Sequence, residues 1–262
     1  MVGKSQRRHR SKVTSRTWMT VALVASLGLL AIAITTVALS QESTPVEASG
    51  TVPSTSPVAG VLDAGNAESE ITDINTDSDR PMVTFLGDSY TSGSRQDSGV
   101  ESRYPHLLGE ALDVSVHSAG LGGAGYVAQG TSKKALPSLV SKIHVDSDVV
   151  VVFGGRNDKV GYQPVHDAAG AMFTQIRDRF PNARLIVVGP TWPTSGTPDF
   201  VAESNRAIHD AAVAQGATFV DAVDWLKADP GLVGDDKVHP SDAGHARLAE
   251  LLEPVVQSAL QP

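Results

Sequence analysis

DVVVVFGGRND, residues 148–158, carries four consecutive valines and a phenylalanine and then breaks on two glycines. A run this short, β-branched and closed by glycine reads as a strand. Its apolar character is continuous rather than alternating, which buries both faces and implies a parallel sheet covered by helices on each side. RLIVVGP (184–190) repeats the pattern, as do MVTFLGD (82–88), the weaker DVSVHS (113–118) and ATFVDA (217–222). Helical periodicity fills the intervals, over Tyr104–Leu112, Val165–Phe180, Phe200–Gln215 and Ser241–Leu260. The expected architecture is an α/β fold, a three-layer α/β/α sandwich with a central parallel sheet over residues 81–262, long enough for one core. No internal repeat is present.

In open parallel sheets, chemistry gathers beyond the carboxyl ends of the strands. The residues there are Gly87-Asp88-Ser89-Tyr90, the cluster Gly120-Leu121-Gly122-Gly123-Ala124-Gly125, and Gly154-Gly155-Arg156-Asn157-Asp158. Asp235-Asp236-Lys237-Val238-His239-Pro240 precedes the last helix. Serine, glycine, asparagine and an Asp/His pair together make a set for acyl transfer. Ser89 is a candidate nucleophile, which needs a base within reach. Taken alone it reads equally as a turn or capping serine. The chain has no G-x-S-x-G, so the nucleophile elbow of the α/β-hydrolases is absent. Asp236 stands three residues before His239, close enough to accept from its Nδ1–H and fix the tautomer. Asp235 is one residue out of step, and Ser241 suits the N-cap of the final helix. Asn157 offers an amide donor for an oxyanion, whereas its neighbour Asp158 suits loop capping.

Gly120, Gly122 and Gly125 satisfy G-x-G-x-x-G literally. The motif follows the second strand and opens no helix, so it does not read as a dinucleotide site. A backbone N–H donor to an oxyanion also requires glycine, because the chain must approach the substrate closely. His9, His106, His117, His144, His166, His209 and His245 show no metal-ligand spacing. They read as surface or packing residues, and His245 is expected to face away from the His239 loop. Tyr90 and Trp192 are expected near the pocket.

The chain has 262 residues and no cysteine, which excludes disulfides, thiol nucleophiles and thiolate metal sites. Six of its 21 basic residues fall within the first 16 positions, where there is no acid. The remaining 15 face all 29 acidic residues, a balance unsuited to gripping nucleic acid. Behind the basic residues 1–17 comes an uncharged apolar stretch within 18–40, whose roughly 33 Å as a helix would span a hydrocarbon core. With the basic flank inside, this predicts a single-pass signal-anchor with the catalytic domain outside the cell membrane. Ala38-Leu39-Ser40 also permits cleavage near Ser40, which would make the protein secreted. Residues 41–80, rich in Ser, Thr, Pro and acids, read as a disordered acidic linker.

Taken together, GDSY (87–90), the glycine cluster, GGRND (154–158) and DDKVHP (235–240) resemble the SGNH hydrolases, the GDSL lipase/esterase family, in the right order over 81–262. The resemblance implies a flavodoxin-like fold and an ester hydrolase needing no metal or organic cofactor. By that likeness Ser89 is the nucleophile, with Asp236 and His239 completing the triad. Backbone N–H groups of Ser89 and Gly123, with the Asn157 side chain, form the oxyanion hole. Gly122 is the runner-up to Gly123. Tyr90 replaces a frequent Leu and Ser118 a frequent Asn, departures that bear on substrate preference. Short acyl esters, lipids and acetylated envelope glycans are all candidate substrates. An acyltransferase and an inactive binding module on the same fold are the alternatives.

Overall fold

The computed structural model describes residues 70–77, 79–227 and 229–261. The basic N-terminus, the 18–40 segment and most of the expected linker lie outside the described residues. Six strands form one sheet: β1 (Glu70–Ile74), β2 (Met82–Gly87), β3 (Ser115–Gly120), β4 (Ser147–Phe153), β5 (Arg184–Val188) and β6 (Thr218–Val220). Their order is β1-β3-β2-β4-β5-β6, with β2 to β6 parallel and β1 antiparallel to β3. Setting β1 aside, this is the flavodoxin order, whose switch point falls between β2 and β4. The α/β/α expectation therefore holds.

The valine run explains the layering. Val150 and Val152 belong to a core that includes Met172, Phe173 and Ile176 of α2 (Tyr162–Arg179) and Ile208 and Ala211 of α3 (Asp199–Ala214). Val149 and Val151 belong to the opposite core, with Leu108 of α1 (Tyr104–Leu112) and Leu248, Leu252 and Val256 of α4 (Asp242–Leu260). Successive side chains of a strand point to opposite faces, so only a wholly apolar strand can supply both. Each fully buried valine or leucine contributes about 1.5–3 kcal/mol of transfer free energy. No helix among the described residues is long and apolar enough to cross a membrane.

Three details differ from the sequence expectation. The sheet begins before Pro81: Glu70–Ile74, inside the stretch read as linker, pairs with β3 from Glu70↔Gly120 to Ile74↔Val116. Side chains reinforce the ladder, with Thr72 Oγ1 3.2 Å from His106 Nε2 and Asp73 Oδ1 2.5 Å from His117 Nδ1. Five residues with two acids among them carry little apolar signal, and β1 is held chiefly by the open edge that it covers. The strand expected at 113–118 instead starts at Ser115, because Asp113 (φ 54°) takes the left-handed conformation that caps α1. Aspartate tolerates this through local hydrogen bonding. Finally, α2 starts at Tyr162, since Pro164 fits within a first turn.

Candidate active site

β2, β3 and β4 end side by side, with Gly87 paired to both Gly120 and Phe153. Their loops therefore meet at one pole. Ser89 lies two residues beyond β2 and is 8% exposed. The turn after it is closed by Ser92 N–H donating to Asp88 O (3.1 Å) and Ser94 N–H to Ser89 O (2.9 Å). The Thr91 and Tyr104 hydroxyls, 2.8 Å apart and buried, pin the turn to α1.

His239 and Asp236 sit in the loop before α4, whose N-terminus is capped by Ser241 accepting from Gly244 N–H at 3.2 Å. His239 Nδ1 is 2.7 Å from Asp236 Oδ2, while the Val238 and His239 N–H groups each donate to Asp236 Oδ1 at 2.9 Å. Burial alone would raise Asp236, but these three hydrogen bonds outweigh it and hold the carboxyl at about 2. It is thus ionised throughout the working range. Asp235 makes no such contact with His239; both aspartates border an open cleft of about 380 Å³ that Arg95 and Asp97 also line.

Tyr90 joins the two loops. Its hydroxyl donates to Val238 O at 2.5 Å, and its ring centroid lies 6.1 Å from that of His239. Burial pushes the phenol up to about 12, so it stays a donor. Among the described residues, no hydrogen bond joins Ser89 Oγ to His239. Such bonds are often long in unliganded sites and tighten with substrate.

Asn157 follows β4. Its Nδ2 donates to Ala124 O at 2.8 Å and reaches Asp88 Oδ2 at 3.3 Å. Asp88 is 4% exposed and also accepts from Tyr90 N–H at 3.0 Å. Burial raises its carboxyl to about 6 against the lowering pull of Tyr90 N–H and Arg156. Sequence reasoning passed over Asp88; the available signal was an acid directly after six residues that all suit a core. Asp158 has the capping task expected of it, accepting from Tyr126, Val127 and Ala128 N–H at 2.8–2.9 Å.

The glycine cluster is shaped by close packing. A Cβ at Gly120 would collide with Ser92 in the turn after Ser89, and one at Gly125 with the Asp158 carboxylate. These two contacts account for the outer glycines of the literal G-x-G-x-x-G. Gly123 has φ +74°, which L side chains rarely adopt. Among the described residues, the N–H groups of Ser89, Gly122 and Gly123 donate to no backbone carbonyl.

His245 is wholly buried, its ring stacked on Tyr104 with centroids 6.2 Å apart. Burial, then the charge of Arg103, lowers it to about 4. Tyr90 lines a small recess with Asp88, Phe153, Arg156 and Thr191, and Trp192 lies beneath the Arg156 guanidinium.

A flavodoxin-ordered sheet with Ser, Asn and an Asp–His pair at its switch-point pole defines a three-layer α/β hydrolase. The pattern of the GDSL-like Lipase/Acylhydrolase family matches residues 85–247, and the chain belongs to that family. It is 32% identical over 192 residues to a GDSL lipase of Mycobacterium tuberculosis, covering 68% of this chain and 82% of that one. The fold is shared with TesA (TM-score 0.57, 18% identity, 68% of this chain and 99% of that one). It is shared equally with a carbohydrate acetylesterase from Sinorhizobium meliloti (TM-score 0.56, 18% identity, 68% and 99%). The protein is a carboxylic ester hydrolase.

Proposed function

We propose that Ser89, His239 and Asp236 form a catalytic triad that cleaves short-chain carboxylic esters through an acyl-enzyme. The observation that carries this reading is the Asp236 carboxylate, fixed by two backbone N–H groups, 2.7 Å from His239 Nδ1. That contact leaves Nε2 as the basic nitrogen. His239 takes the Ser89 proton as Oγ attacks the ester carbonyl. The resulting oxyanion accepts from the unengaged N–H groups of Ser89 and Gly123, Gly122 being the alternative. Asn157 contributes the N–H that now makes its longer bond, at 3.3 Å, to Asp88, while Ala124 O keeps the amide in place. The alcohol departs with the proton from His239, and water, activated by the same imidazole, releases the acid. No step draws on a metal or organic cofactor.

Acetylated envelope glycans suit this site, a substrate class supported by the fold shared with a carbohydrate acetylesterase. The basic residues 1–17 and the apolar 18–40 stretch support a domain working outside the cell membrane, anchored there or released by cleavage near Ser40. The test is hydrolysis of p-nitrophenyl esters of two to sixteen carbons by the full-length chain and by Ser89→Ala. Turnover by the wild type alone, best at the shortest chains, is expected. Equal turnover by both proteins refutes Ser89. Faster acyl capture by an added alcohol than by water makes the protein an acyltransferase, and a folded wild type inert to every ester and acceptor makes it a binding module.

A further inference from the structure

Next to Asn157 in the chain stands a cation that takes no part in the triad. Arg156 stands between Gly155 and Asn157, with its guanidinium 4.7 Å from the centroid of the Trp192 ring. It lines the recess formed with Asp88, Tyr90, Phe153 and Thr191. Arg156 Nε and Trp192 Nε1 are both buried, and neither has a hydrogen-bond partner among the described residues. Guanidinium and indole N–H groups can only donate, so only an acceptor satisfies them. The carboxylates of Asp158 and Asp88 are already engaged, Asp158 by three backbone N–H groups and Asp88 by Tyr90 N–H and Asn157. A wholly aliphatic substrate would leave both donors unmatched. A carboxylate or phosphate presents acceptors alone and matches the guanidinium fork, and stacking on an indole presets the plane of that fork.

We infer that Arg156, backed by Trp192, forms an anion subsite next to Ser89, and that the preferred substrates are esters bearing a carboxylate or phosphate near the scissile bond. The inference deepens the hydrolase reading above and rests on it.

Two matched pairs test it with the full-length chain, one for an anion on each side of the ester. Mono-p-nitrophenyl adipate against p-nitrophenyl hexanoate places the charge on the acyl side. 4-Acetoxybenzoate against phenyl acetate places it on the alcohol side. After correction for uncatalysed hydrolysis, wild-type kcat/KM favours the anionic member of one pair by about tenfold or more. Arg156→Gln removes that preference, and Arg156→Lys, which keeps the charge but loses the fork, restores part of it. Ser89-dependent hydrolysis of both neutral esters with no anionic preference in either pair overturns the subsite and leaves the triad standing. So does a preference that Arg156→Gln leaves intact. Should Arg156→Gln fail to fold, the wild-type ratios and Arg156→Lys still decide. Hydrolysis that does not depend on Ser89 overturns both readings.

Discussion

Asp88 makes the stability of this fold depend on pH in a way that one substitution isolates. Its carboxyl is buried and raised from 3.8 to about 6. A carboxyl raised in the folded state favours folding when protonated, and that advantage is lost as pH climbs through the folded value. Well below 3.8 Asp88 is therefore protonated in both states and carries no penalty, while above about 6 the folded state must hold a desolvated charge. Between 3.8 and about 6, at about 1.4 kcal/mol per pH unit, the accumulated cost is about 3 kcal/mol. Asp88→Asn abolishes the titration but adds a fixed cost, because its amide faces the Asn157 amide donor. The fixed cost does not change with pH, so the difference between wild type and variant reports Asp88 alone. From pH 4 to pH 8 that difference should move by about 2.5 kcal/mol in favour of the variant, or roughly 5–10 °C in relative Tm. Urea unfolding at one-unit pH intervals measures it. A wild-type-to-variant difference constant to within about 0.5 kcal/mol over this range would refute the idea that burial governs Asp88.

Four further outcomes follow from the contacts around the site. Asp236→Asn should lower kcat by about a thousandfold or more with little effect on KM, since an amide there no longer fixes the His239 tautomer; steady-state kinetics on a short ester check this. Because Asp236 is held at about 2, the kcat/KM profile should show no inflection from Asp236 above about pH 3. Tyr90→Phe removes the bond to Val238 O; unfolding should register a loss of about 1–3 kcal/mol, with kcat falling more than KM rises. Asp158→Ala strands three backbone N–H donors and should cost about 3 kcal/mol or more in urea unfolding.

Much of the catalytic pole was legible because each of its blocks abuts a strand or helix with a strong pattern of its own. Ser89 and Asn157 follow strands dominated by buried apolar residues, and the three-residue spacing of Asp236 and His239 suffices for the observed contact. What escaped the sequence depends on partners distant in the chain. β1 is defined by the edge of β3 more than by its own residues, and Asp113 reads as strand until α1 is seen to need a cap. Asp88 is an ordinary acid in the sequence, and only its enclosure beside Asn157 gives it an unusual titration. Arg156 likewise gains meaning from Trp192, which arrives from the loop beyond β5.

The direction of β1 has a practical side. Because the strand is antiparallel to β3, its first residue, Glu70, lies opposite Gly120, at the head of the glycine cluster, and its last, Ile74, opposite Val116. The polypeptide thus enters the domain at the same rim as Ser89. Backbone changes at the Glu70 end of β1 therefore bear on the rim that carries Ser89, and changes at the Ile74 end on the opposite rim.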